Sequence, residues 1–230
     1  MASWVCVISD ILSVASISMA DRKTNAENVL AILNGQLGWS FEAVCGVLGN
    51  MEAESYVNPG ACESNRGIPR TGSIYYGGGI GLIQWTDLPA YTKENVHPLL
   101  WYADRVSGQW WDGTLQTNLI NYADDYTITS CGTTQPRWGW ISSAAHPLSF
   151  ADYKAYTGTP EDAATYWLYN LERGDYGSEA TRRVNARYWY NVLQGLTPDP
   201  PDPTPPTPPT PVPSRRGNNM PLWMMCRRPC

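Results

Sequence analysis

Gly49-Asn50-Met51-Glu52-Ala53-Glu54-Ser55-Tyr56-Val57-Asn58-Pro59 closes a stretch that reads as one amphipathic helix. Ser40 can cap that helix, and Trp39 and Val44 stand where a hydrophobic staple requires apolar residues. Val44, Val47, Leu48 and Met51 recur at steps of three and four and define a buried stripe. Glu54 lies seven residues beyond Val47 on the same stripe, so a carboxylate points where apolar side chains belong. Burial disfavours its charged form, and so does the negative end of the helix dipole, because Asn58-Pro59-Gly60 stops the helix one turn later. A carboxylic acid kept protonated near neutral pH is the group that can protonate a leaving oxygen. Helix geometry alone also allows an edge glutamate that reaches solvent past the core.

Further along comes Gly77-Gly78-Gly79-Ile80-Gly81-Leu82-Ile83-Gln84-Trp85-Thr86, an apolar, strand-like run whose glycines let the backbone approach another surface closely. Glu-Ser-x-x-Asn-Pro, followed 25 residues on by Gly-x-Gly-Leu-x-Gln-Trp, resembles the goose-type lysozyme and lytic transglycosylase superfamily, and within it the phage tail lysozymes most closely. The resemblance covers residues 24–195, with Cys45-Gly46-Val47-Leu48-Gly49-Asn50 and Gln84-Trp85-Thr86 as its most specific parts. It implies Glu54 as the catalytic acid. Gln84 and Trp85 would line a sugar groove, with Ser55 and Tyr76 also at the substrate, and Gly79 and Gly81 would admit the glycan. Tyr169-Asn170-Leu171-Glu172-Arg173 is similar to the family's Tyr-x-x-Glu-Arg segment, although Gly174 stands where the family has Pro.

The second carboxylate stays open. Asp87 is the nearest candidate to activate water; Glu52 points to the far side of the helix, and Glu172 and Asp175 fall in a later segment that reads as structural. An inverting hydrolase needs a partner carboxyl roughly 6.5–9.5 Å from the acid. Without one, a lytic transglycosylase that uses a single glutamate as acid and then base is the better reading.

Eleven Trp and 14 Tyr against 2 Phe favour rings with a polar handle, the kind that stack on sugars while an N–H or O–H stays wet. Most must still fill the core. Trp110, Trp111, Trp138 and Trp140 lie among Gly, Asp, Gln and Arg, which makes them better groove candidates than Trp167 or Trp189. A net charge of −5 and a pI near 5.0 give no electrostatic attraction to nucleic acid or to a polyanionic wall, so sugar binding must come from hydrogen bonds and stacking.

Thr24-Asn25-Ala26-Glu27 reads as the capping box of a first helix ending near Gly35 or Gly38. Leu115, Leu119, Tyr122 and Tyr126 mark another, Ser149 opens a short one, Thr159-Pro160 starts one through Leu171, and the last runs from Ser178 to Gln194. Strand signal is confined to 73–86. The expected fold is α+β but mainly α, a lysozyme-like domain over 24–196 with a small β-hairpin, followed by a proline-rich tail. Residues 197–213 read as a polyproline linker of about 50 Å at roughly 3.1 Å per residue. Residues 214–230 form a short basic and apolar tail, a candidate attachment point for other phage tail proteins.

Residues 1–23 read as an N-terminal extension, with translation from Met19 as one explanation. The apolar part is too short to span a membrane and lacks the basic start of a signal peptide. Six cysteines, at 6, 45, 62, 131, 226 and 230, and two histidines, at 97 and 146, match no zinc spacing, and no cofactor is expected. Cys45 is expected as a buried thiol, and a Cys62–Cys131 disulfide is conceivable. Three functions compete: a glycosidase acting on bacterial peptidoglycan from the virion tail, a cysteine peptidase or amidase built on Cys45 or Cys131 with a histidine, and a non-catalytic wall-binding module. Among glycosidases, an endolysin is the alternative to a tail enzyme.

Overall fold

A computed structural model of the chain describes residues 16–63, 66–72, 78–86, 96–174 and 176–196. Tyr76, Asp87, Asp175, the polyproline stretch and the tail after it lie outside the described residues. The described helices are α1 (Met19–Leu30), α2 (Phe41–Ser55), α3 (Pro98–Arg105), α4 (Gly113–Ile120), α5 (Tyr126–Thr129), α6 (Phe150–Lys154), α7 (Pro160–Trp167) and α8 (Glu179–Leu193). Wider π turns continue α1 over Ala31–Gln36 and α7 over Leu168–Glu172. The fold is mainly helical. Among the described residues the expected hairpin reduces to two isolated antiparallel bridges, Cys62 with Ile80 and Ile80 with Trp85, and residues 81–84 form the turn between the latter pair.

Helix α2 begins where the sequence places it, with the Ser40 hydroxyl accepting from the Ala43 N–H at 3.1 Å. Its burial goes beyond a stripe. Every residue from Ala43 to Met51 is buried, the pattern of a central helix enclosed on all sides. Val44, Val47, Leu48 and Met51 each contribute about 1.5–3 kcal/mol from burial. The remaining faces carry small residues because α7 and α8 press directly on them. A Cβ at Gly46 would meet Ala163 Cβ at 2.6 Å, and one at Gly49 would meet the Arg182 carbonyl oxygen and the Ala186 nitrogen at 2.6 Å. These two glycines set how closely three helices approach.

Two local expectations are corrected. Helix α1 starts at Met19, not Thr24: Ser18 accepts from the Asp21 N–H while Asp21 accepts in return, and the Thr24 hydroxyl, mid-helix, donates to the Ala20 carbonyl at 3.0 Å. Residues 19–23 therefore belong to the folded helix, and Arg22 within them is buried and paired with Glu52 at 2.8 Å. The helix expected through Leu115, Leu119, Tyr122 and Tyr126 is two, because Asp125 caps a new start at Tyr126 and leaves both tyrosines exposed. Helix α2 ends at Tyr56 and Val57, both with positive φ (58° and 51°), before the Asn58-Pro59-Gly60 stop is reached. A β-branched residue rarely adopts that conformation. The Val57 carbonyl is held by the Asn25 amide at 2.8 Å.

No cysteine pair forms among the described residues: Cys45, Cys62 and Cys131 are free and buried. No helix among the described residues is long and apolar enough to cross a membrane.

Gly49→Ala tests the close approach of α2 and α8. Helix propensity alone favours the change by about 0.5–1 kcal/mol, but contact with fixed backbone costs about 1–3 kcal/mol, so a fall in thermal midpoint of a few degrees is expected. Gly35→Ala, with no atom within 4 Å of the new Cβ, should be neutral or slightly stabilising. Calorimetry of both variants checks this, and an unchanged midpoint for Gly49→Ala would show that the helices can separate at no cost.

Candidate active site

Segments far apart in sequence meet in one cleft of about 320 Å³. Glu54 enters from the last turn of α2, Ile83-Gln84-Trp85-Thr86 form one wall, Arg137-Trp138-Gly139 another, and Leu171-Glu172-Arg173 the end of the α7 extension, with Pro98 also in the lining. Trp85 and Trp138 are each more than nine-tenths buried and pack edge to face, ring centres 6.1 Å apart.

Of the four tryptophans expected at a groove, Trp138 lines this cleft and the others do not. Trp110 donates to the Gly72 carbonyl at 2.7 Å, and Trp111 packs against its edge. Trp140 donates to the Leu148 carbonyl at 2.9 Å amid Phe150, Tyr153 and Trp167.

The remaining predicted substrate contacts divide in the same way. Gln84 and Trp85 line the cleft, whereas Ser55 is fully buried, its hydroxyl reaching the carbonyls of Met51 (3.0 Å) and Leu82 (2.8 Å). Ser55 thus ties the catalytic-helix candidate to the Gln84 turn from behind. At Gly79 and Gly81 the close approach is intramolecular: a Cβ at Gly79 would meet the Gln84 side chain at 2.9 Å, and one at Gly81 would meet Gln116 Oε1 at 2.6 Å. Gln116 is fully buried and satisfied. Its oxygen accepts from the Leu82 N–H at 2.7 Å, and its amide donates to the Pro59 and Trp110 carbonyls at 2.7 and 2.5 Å. With φ of 52° at Gln84, that anchor fixes the tight turn presenting Gln84 and Trp85.

The electrostatic centre is Arg182 of α8. Its Nη2 donates to Glu54 in an ion pair, and its Nη1 donates to Glu172 Oε2 at 2.6 Å and to Asn50 Oδ1 at 3.0 Å. Its Nε donates to Ser178 Oγ at 3.2 Å. Glu54 therefore does not stand alone on an apolar stripe. It keeps 20% of its side chain exposed toward the cleft and shares a buried guanidinium with Glu172. Glu172 also accepts from Trp167 Nε1 at 2.9 Å, a contact between residues five apart that the π turn brings to one face. Burial, reinforced by the Glu54 charge and opposed by Arg182, pushes the Glu172 carboxyl up to about 8.

Sequence reasoning missed Arg182, Gln116 and Arg137. A signal for the first existed: the buried stripe Ala186, Trp189, Val192 of α8, continued four residues back, lands on Arg182. Arg22 sits likewise on the buried side of α1 with Ala26 and Val29, and takes Glu52 on another side of α2. The thiols are unsuited to nucleophilic work, since burial pushes Cys131 up to about 11 and Cys45 higher still.

The sequence pattern of the phage tail lysozymes matches residues 24–193, which include every wall of the cleft. The chain belongs to the phage tail lysozyme family. Morphogenesis protein 1 of Bacillus phage B103 is 27% identical over 185 residues, 79% of this chain and 42% of that protein. The chain thus spans about two fifths of that relative's length.

Glu172 gives a pH-dependent stability with a definite sign. Its folded carboxyl titrates near 8 against an ordinary 4.5, so its contribution is fully present below about 4.5 and is lost as pH rises toward 8. Urea midpoints of the wild type should fall between these limits, and Glu172→Gln should fall less. Parallel loss in both proteins would mean that this carboxyl is not responsible.

Proposed function

We propose that this phage tail lysozyme domain cleaves the β-1,4 bond between N-acetylmuramic acid and N-acetylglucosamine in bacterial peptidoglycan, with Glu54 as the proton donor. The observation that carries the reading is the convergence of Glu54, Gln84-Trp85 and Glu172-Arg173 on one cleft from positions spread over some 120 residues. The glycan lies along Gln84, Trp85 and Trp138, where indole edges and an amide suit sugar rings and their hydroxyls. Glu54 faces the glycosidic oxygen and delivers its proton as the bond breaks. The protein is carried on the virion tail and opens the wall locally during entry, a reading supported by the family and by the morphogenesis name of the Bacillus phage relative.

A lytic transglycosylase is the second reading, favoured by one observation. Glu172, the other described carboxylate lining the cleft, has one oxygen on Trp167 and the other on Arg182, an arrangement that leaves it poorly placed to activate water. Asp87 lies outside the described residues. Mass spectrometry of digested muropeptides separates the two: a reducing N-acetylmuramic acid end marks hydrolysis, and a 1,6-anhydro end marks transglycosylation.

Glu54→Gln should abolish release of muropeptides, at least about a hundredfold as expected for a lost general acid, while the thermal midpoint stays close to wild type because the amide keeps the shape. Lysis within tenfold of wild type would sink the assignment. Immunoblots of purified virions against infected-cell lysate test the tail reading, and protein found only free in the lysate would point to an endolysin.

A further inference from the structure

We propose that Arg182 and Glu172 are positioning residues for Glu54, forming with it a unit of two carboxylates on one guanidinium that keeps a single proton available at the cleft. This rests on Glu54 as the proton donor. Arg182 cannot follow one acid away from the other, because Asn50 and Ser178 fix its remaining edges. Asn50 is itself locked, its amide donating to the Gly46 and Ala164 carbonyls at 2.9 and 3.1 Å. The same guanidinium therefore serves whichever carboxylate is ionised.

The stoichiometry then decides the proton count. One cation neutralises one carboxylate, and a second charge on side chains only 10% and 20% exposed has no other described ion-pair partner. Retaining a proton costs less than leaving that charge unpaired. The raised Glu172 carboxyl is the expression of that balance, and the proton belongs to the pair as a unit. Two further cations, the buried Arg137 and the more exposed Arg173, line the cleft. Beneath Glu172, from α6, stands the buried Tyr153 phenol, pushed well up by burial and by the Glu172 charge. Trp167 offers only a neutral N–H, His97 is partnered beside Pro98, and the described residues 78–86 carry no titratable side chain.

The test follows initial rates of the full chain on isolated peptidoglycan sacculi across pH, with circular dichroism to confirm folding. Glu172→Gln leaves one carboxylate facing an uncontested guanidinium, so the alkaline limb of kcat/KM should move to lower pH by about one unit or more. Glu172→Asp should restore part of the wild-type limb. Arg182→Met leaves two carboxylates without a cation, and in folded protein its limb should move the opposite way. Should Arg182→Met fail to fold, the two Glu172 variants decide the matter. A folded Glu172→Gln enzyme whose rate drops equally at every pH, with the limb unmoved, overturns the proposal. Glu54→Gln run alongside separates the failures. An inactive Glu54→Gln with an unmoved Glu172→Gln limb removes this inference alone, and an active Glu54→Gln removes the proton-donor reading beneath it.

Discussion

A guanidinium buried to 7% exposure must be neutralised where it stands, and Arg182 meets that demand by drawing acids from two other elements. Glu54 comes from the end of α2 and Glu172 from the π turn after α7, with Asn50 and Ser178 filling the remaining edges. Removing the guanidinium would leave its acids without a cation inside at a cost of about 3–5 kcal/mol, whereas the loss of either carboxylate leaves the other to balance Arg182. The surface pairs Arg183–Asp162 and Arg187–Glu161 also join α8 to α7, but partly exposed pairs of this kind are worth little. One interaction thus ties α2, α8 and the extension of α7 together and anchors the candidate acid.

That interaction is possible only because the backbones come close. Gly46 and Gly49 admit α7 and α8 against α2 at distances no larger side chain allows. The aromatic residues then fill the volume around this axis, with Trp39, Tyr153, Trp167 and Trp189 fully buried. Most of the described tryptophans serve packing, and Trp85 and Trp138 do so while also lining the cleft. The wall carrying Gln84 depends on a second buried polar device, the Gln116 amide, whose three hydrogen bonds leave no orphaned group on that side chain and tie a glycine-rich turn to α4.

Much of this was legible from local rules. Period and capping located α2, its Ser40 cap and Glu54, because a helix face repeats every three to four residues and a cap needs only its neighbours. The same rules misplaced the start of α1, where Ser18 and Asp21 outcompete the equally plausible Thr24 and Glu27, and joined α4 to α5 across an Asp125 cap.

The tertiary structure alone decided which groups meet. Glu54 and Arg182 are 128 residues apart, and neither periodicity nor spacing relates them. Ser55, Gly79 and Gly81 turned inward because their neighbours in space, Leu82, Gln84 and Gln116, occupy the side that a substrate reading assigns to glycan. Glu172 reads as structural in sequence and reaches the cleft because a π turn, which needs i to i+5 hydrogen bonds and leaves no mark in the pattern, rotates it beside Trp167. The sequence therefore determined the helix and the acid it carries, a matter of local geometry. The environment of that acid is a sum of long-range burial and charge, and only the packed chain supplies it.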